Sequence, residues 1–408
     1  MYYLMCLFIF LYPLLPSHFE FSGFTLSGDR LLYVFIIIIL SFMLAGRNNR
    51  QKFFSALADL RKNPTLLCFI LIIIIMFMST LYAVNRGEAL KESMRFGSYL
   101  VLYFVIKYYL ADENKLEGIL KSYLGSCAVI SVWGLLQYVF YVWPYMQQHI
   151  PVPIYKIGAT LENSNNVGAF FIFAVFPLIL LTLKTKDLKP KAVFCSITCL
   201  ALINIVLSFS RNAWLALATG CILLIFIYNW KSVFLFIVGC GIAFNIPQVH
   251  SRIFQFVDIS QNLTRIKIWG TALEVIRDNF WLGVGNTNFS EVYNKYSAKY
   301  DYITYEFTPG LHPHNIFLKI QSELGVLGSL AFISFLISGF RMLRRAIQAA
   351  NSNFIKPFYQ GYIISFIVFL QMNLVDSFFS APKIRIYFFI FLAIADGLVK
   401  REVRKTAV

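Results

Sequence analysis

A succession of apolar runs constrains this chain more than any other feature. They fall near residues 2–16, 31–46, 66–83, 94–110, 118–143, 166–183, 192–209, 213–228, 231–246, 314–340, 358–376 and 382–399. Backbone inside lipid must satisfy its own hydrogen bonds, and a helix does so within a single segment. The runs therefore predict an all-α polytopic membrane protein with about twelve transmembrane helices. Several are shorter than the ~20 residues a full span prefers, so flanking polar residues or local thinning must complete them. Only 14% of the 408 residues are charged, against about 25% in a soluble domain. The first run ends in Pro13 and Pro16 and lacks the basic flank and cleavage site of a signal peptide, so it is read as a span.

A net charge of +16 in a membrane chain is read through its distribution, and it implies no nucleic acid partner. Arg47, Arg50, Lys52, Arg61 and Lys62 share one connection, and Lys184, Lys186, Lys189 and Lys191 share another. Arg341, Arg344, Arg345 and Lys356 form a third cluster, and Lys400, Arg401, Arg404 and Lys405 a fourth. With twelve spans all four lie on one side, which predicts cytoplasmic termini. The chain then divides into helices 1–9 (residues 1–246), a long outer loop (247–313), and helices 10–12 with a basic tail (314–408). Lys107 and Glu117 fall at cytoplasmic span ends and are expected to snorkel. Asp376 and Lys383, at the outer ends of the last two spans, are expected to pair or to touch substrate. The seven cysteines all lie inside apolar runs and read as small buried hydrophobes, not as a disulfide framework or metal site.

The outer segments carry the chemistry. From Asn262 to Asp278, Ile266, Trp269, Leu273 and Ile276 recur at helical spacing, predicting an amphipathic helix on the membrane surface or over a cavity. Arg265 sits in its first turn and Arg277 in its last. The turn Gly283-Val284-Gly285-Asn286 follows, then Tyr293, Tyr296, Tyr300, Tyr302 and Tyr305, an aromatic density suited to an interface or to sugar rings. Arg211 stands in a short outer connection, Ser208 to Trp214, where a guanidinium suits phosphate oxygens or snorkels beside the tryptophan. His312-Pro313-His314-Asn315 opens the next span, with Gly325 and Gly328 placed to allow close helix contact deeper in. Glu323 lies in that span, as a functional group or as a packing hydrogen bond.

His314-Asn315 followed by Gly325 and Gly328 resembles the His-Asn-x9-Gly-x-x-Gly signature of the O-antigen ligase and polymerase superfamily. Ser210-Arg211 with Ala213-Trp214 resembles its arginine site. Arg265 to Trp269 with Gly283-Val284-Gly285 resembles its outer-loop arginine helix and glycine turn. Gly158 with Asn163, Asn165 and Asn166 is a looser match. The ordered set covers roughly residues 158–340.

The resemblance implies a GT-C-like fold in the bacterial inner membrane. It implies an active site facing the periplasm and a glycan donor on undecaprenyl pyrophosphate. For a ligase the acceptor is a lipid A-core hydroxyl; for a polymerase it is a second lipid-linked glycan. Arg211 and Arg265 would hold the pyrophosphate, and His314 would serve as general base or align the acceptor. His312, Asn315, Glu323 and Arg277 complete the expected substrate contacts. No cofactor or metal is expected, because Asp258, Asp278 and Asp301 are scattered. The alternative of another class is a lipid or glycan transporter, against which stand the missing repeated halves.

Overall fold

The computed structural model describes residues 1–15, 18–21, 24–144, 156–228, 241, 260–298 and 311–406. Within them each apolar run predicted above is a helix; the run near 231–246 lies, but for Gly241, outside the described residues. In chain order the helices are α1 (Tyr2–Leu11), α2 (Gly28–Leu44), α3 (Arg47–Asp59), α4 (Pro64–Ser79) and α5 (Arg86–Tyr109). Then come α6 (Glu113–Gln137), α7 (Ser164–Lys184), α8 (Leu188–Leu207), α9 (Arg211–Ile227) and α10 (Ser260–Asp278). The last four are α11 (Phe289–Ser297), α12 (Ile316–Ala349), α13 (Ile355–Met372) and α14 (Pro382–Thr406). A short antiparallel hairpin, β1 (His18–Phe21) and β2 (Phe24–Ser27), joins α1 to α2 and adds a small element to the helical reading.

By length and composition, four of the described helices can cross a membrane: Glu113–Val142, Ser164–Lys184, Leu188–Leu207 and Ile316–Ala349. The bent pair Gly28–Leu44 and Asn49–Ala58 makes a fifth if it is a single span. α7 is the axis of one half, buried on nearly every face and packed between α8, α9 and α13. Pro177 removes the backbone donor that Phe173 O would otherwise receive, and the Ser365 hydroxyl of α13 stands beside that stretch, 3.5 Å from Phe173 O and 2.7 Å from Ile172 O. That is how a proline is tolerated in a span. Gly361 of α13 lies against the backbone at Phe176 and Pro177, where a Cβ would collide.

In the other half α12 packs on α4 and α14, and it is broken. Gly325 adopts φ 66°, ψ −166° in its midst. The break frees carbonyls, and the turn after α10 takes them: Val284 N donates to Ser322 O and Gly285 N to Glu323 O, both at 2.9 Å. In return Val326 N donates to Phe280 O at 3.0 Å. The backbones are close enough that a Cβ on Gly283 would strike the Glu323 carbonyl, and one on Gly325 the Trp281 carbonyl. Gly325 is therefore a kink residue against the turn after α10, not a helix-contact glycine, and Gly328 packs against Leu324 of its own helix.

Charges inside the bundle are paired. Lys107 does not snorkel: it is 2% exposed and sits 2.9 Å from Asp396, which also accepts from Tyr103 and Asn63. Arg385 of α14, 1% exposed, pairs with Glu92 of α5, and Arg95 bridges Glu92 to Asp29.

Gly283→Ala or Gly325→Ala should destabilise the fold by about 1–3 kcal/mol through left-handed strain and collision. Gly97→Ala, where a Cβ meets nothing within 4 Å, should be neutral or slightly stabilising. Thermal unfolding of the three variants in one detergent checks the contrast.

Candidate active site

Several connections far apart in sequence meet at one end of the bundle: the segment before α7, the turn before α9, the segment before α12 and the α13–α14 linker. The linker is the hub. Asn212 Nδ2 donates to Met372 O at 2.8 Å, and Ile316 N to Asn373 O at 2.9 Å. Asn315 Nδ2 donates to Leu374 O at 3.0 Å, and Lys383 Nζ to Thr160 O at 2.6 Å. Lys383 thus reaches Thr160, and Glu162 at 3.9 Å. Asp376 turns to His314 and Asn165, so the two residues expected to pair do not pair with each other.

The approach to α12 is shaped by three local choices. Pro313 disfavours the helical region for His312, and His314 takes the left-handed conformation at φ 50°. Asn315 caps α12, its Oδ1 accepting from Phe317 N (2.9 Å) and Leu318 N (3.1 Å). The His312 and His314 rings come within 4.4 Å, centroid to centroid. His314 Nδ1 lies 3.3 Å from Asp376 Oδ1, with the His314 side chain 31% exposed. The carboxylate is itself held by Ser377 N at 2.8 Å and Asn165 Nδ2 at 3.4 Å. Burial, reinforced by the nearby His314 and Lys319 charges and only partly offset by Asp376, pushes the His312 imidazole far below its usual value.

Arg211 is the first residue of α9, behind a Ser210 cap, and Asn212 beside it is anchored to the linker backbone. Gly168 of α7 leaves room for this turn, since a Cβ there would collide with Ala213. Asn212 Oδ1 is buried with no hydrogen-bond partner among the described residues. Arg211 and His314 are thereby brought to one end of the bundle through Met372 and Asp376.

α10 begins earlier than expected, at Ser260, which puts Arg265 in its second turn, and the buried face of that helix also differs from the expected one. Ile268, Ala272 and Val275 are buried against Val284, Phe289, Tyr293 and Tyr296, with Leu311 and Leu318 packed alongside. Ile266 and Leu273 are exposed. The helix has apolar residues on two faces, and packing onto α11 and the start of α12 took the one with the smaller side chains. Arg265 makes no hydrogen bond or ion pair among the described residues. Arg277 is 68% exposed and pairs with Glu274 at 2.9 Å and Asp278 at 3.6 Å on its own helix, so it is not brought to the histidines. Of the tyrosine series, Tyr293 and Tyr296 are packed inside; Tyr300, Tyr302 and Tyr305 lie outside the described residues, as do Asp258 and Asp301.

Glu323 is 3% exposed, 2.9 Å from Lys319 Nζ, and accepts from Thr287 N at 3.0 Å. With Lys319, Glu92 and Arg385 it lines a largely apolar cavity of about 50 Å³ between α4, α5, α12 and α14. This space admits a few waters. Sequence reading missed Lys319, Glu92, Arg95 and Arg385; ionisable residues at such spacing in apolar helices are the signal that could have found them.

Residues 196–333 match the O-antigen ligase family model. The chain is also 26% identical over 339 residues to an O-antigen ligase of Salmonella typhimurium, covering 79% of this chain and 80% of that protein. Both findings support the O-antigen ligase superfamily. The matched segment runs from α8 through Arg211, α10 and the glycine turn to His314 and the α12 break.

Depression of the His312 pKa carries a sign. Below about pH 6.5 an unfolded His312 takes up a proton that the folded chain, with His314, Lys319 and Asp376 around the ring, refuses. Stability should therefore fall as pH drops below 6.5, and His312→Asn should flatten that slope. Thermal unfolding between pH 4 and 8 checks it.

Proposed function

We propose that this protein is an inner-membrane ligase that moves a glycan from undecaprenyl pyrophosphate to a lipid A-core hydroxyl. The His314–Asp376 pair, standing at the same end of the bundle as Arg211, carries the reading most directly. That end is assigned to the periplasm and both termini to the cytoplasm, in keeping with the four basic clusters. With Nδ1–H donating to Asp376 Oδ1, the lone pair sits on Nε2, which serves as the base. A partly exposed ring is reachable by an acceptor hydroxyl.

The leaving group is a lipid pyrophosphate, and stabilising its developing charge is the main electrostatic task. Arg211 stands at a helix N-terminus, where backbone N–H groups and the helix dipole also favour anions. Arg265, uncommitted to another side chain among the described residues, supplies the second guanidinium. Attack by the acceptor oxygen opposite the departing pyrophosphate inverts the anomeric centre, without a metal. His312 and Asn315 frame the acceptor side. Glu323 and Arg277 support the elements that carry the site.

Purified protein with an undecaprenyl-pyrophosphate oligosaccharide and lipid A-core should give glycosylated core in the presence of a chelator. His314→Ala should lower the rate by ~10²–10⁴, and Arg211→Ala by ~10²–10³. Elongation of the lipid-linked glycan instead would make the protein a polymerase. Movement of donor lipid across a bilayer without transfer would make it a transporter.

A further inference from the structure

We propose that His312, His314 and Asp376 form a zinc site, and that occupying it switches transfer off. One donor atom from each side chain lies within 4.8 Å of the others. His314 Nδ1 and Asp376 Oδ1 are already 3.3 Å apart. Zinc held tetrahedrally at ~2.0–2.1 Å separates neighbouring ligand atoms by about 3.3–3.4 Å, so this pair stands at the edge length of the tetrahedron. Two imidazoles and one carboxylate make the ligand set of an open site, whose fourth position takes water.

The triangle is held from behind. Pro313 and the left-handed His314 turn the two rings toward each other, at 4.4 Å between centroids. Asn315 and Ile316 bond the linker backbone at Leu374 and Asn373, which fixes α12 against the segment bearing Asp376. The carboxylate is oriented by Ser377 N and Asn165 Nδ2, the kind of outer support that metal ligands receive. Lys319, one turn into α12, has its charge offset by Glu323 at 2.9 Å.

The consequence for transfer rests on the ligase reading above; the binding does not. Zinc takes the lone pair of the neutral His314 ring at one nitrogen and leaves the single proton on the other, so the ring keeps one N–H and has no free lone pair at neutral pH. The ring cannot then accept the acceptor's proton. Asp376, drawn to the metal, no longer orients it.

The test uses untagged, full-length protein in detergent, titrated with zinc chloride by calorimetry and with cobalt(II) by absorption. About one zinc per chain and a tetrahedral cobalt spectrum are expected. Asp376→Asn and His312→Asn should each weaken binding at least ~10-fold, with unfolding curves confirming that the variants are folded. No binding, or an octahedral cobalt spectrum in the unaltered protein, would overturn the site, and that readout needs no variant. Transfer should then fall along the same zinc titration and return on chelation. Zinc bound with transfer unaffected would overturn the switch. Zinc bound by a protein that shows no transfer to either acceptor would leave the site standing and count against the ligase reading alone.

Discussion

The break in α12 at Gly325 is the constraint on which the rest depends. A span that interrupts its own hydrogen-bond ladder inside an apolar bundle must find other donors for the freed carbonyls. Val284 and Gly285 supply them, and Phe280 O takes the exposed N–H of Val326 in exchange. Helix α10 is thereby fastened to the span that begins just after His314. Only glycine fits at 283 and 325, because each backbone lies where the other's Cβ would be. The loop and the membrane helix are one structural unit.

The α13–α14 linker does the same work for the other side of the site. Its carbonyls and the Asp376 carboxylate receive α12, the Arg211 turn and the segment before α7. Behind this platform the Glu92–Arg385 and Lys319–Glu323 pairs are balanced, carboxylate against cation. A buried ion pair of this kind adds little net stability, yet removing one partner is costly. The Glu92–Arg385 pair favours one register of α5 against α14 beneath the site.

Helix placement was legible in the sequence because the length and apolarity of each run are local properties, and the described runs became helices. His314, Asn315, Arg211 and Arg265 were singled out in the sequence by a motif resemblance alone. The His314–Asp376 contact was not, since it joins residues 62 positions apart and follows from packing of the linker. The buried face of α10 was misjudged because two faces carry apolar residues and only the tertiary partner chooses between them. Lys107 was misread for a related reason: its partner Asp396 comes from the last helix, and without it a lysine near a span end reads as snorkelling. The hairpin at His18–Ser27 lies in a stretch that hydropathy treats only as a connection.

A structure of the protein bound to undecaprenyl pyrophosphate tests the central claim most directly. The account predicts the two phosphates in contact with both Arg211 and Arg265, with the His314 ring facing the side from which an acceptor arrives. A pyrophosphate bound away from both arginines, for instance in the cavity beside Arg385, would contradict it.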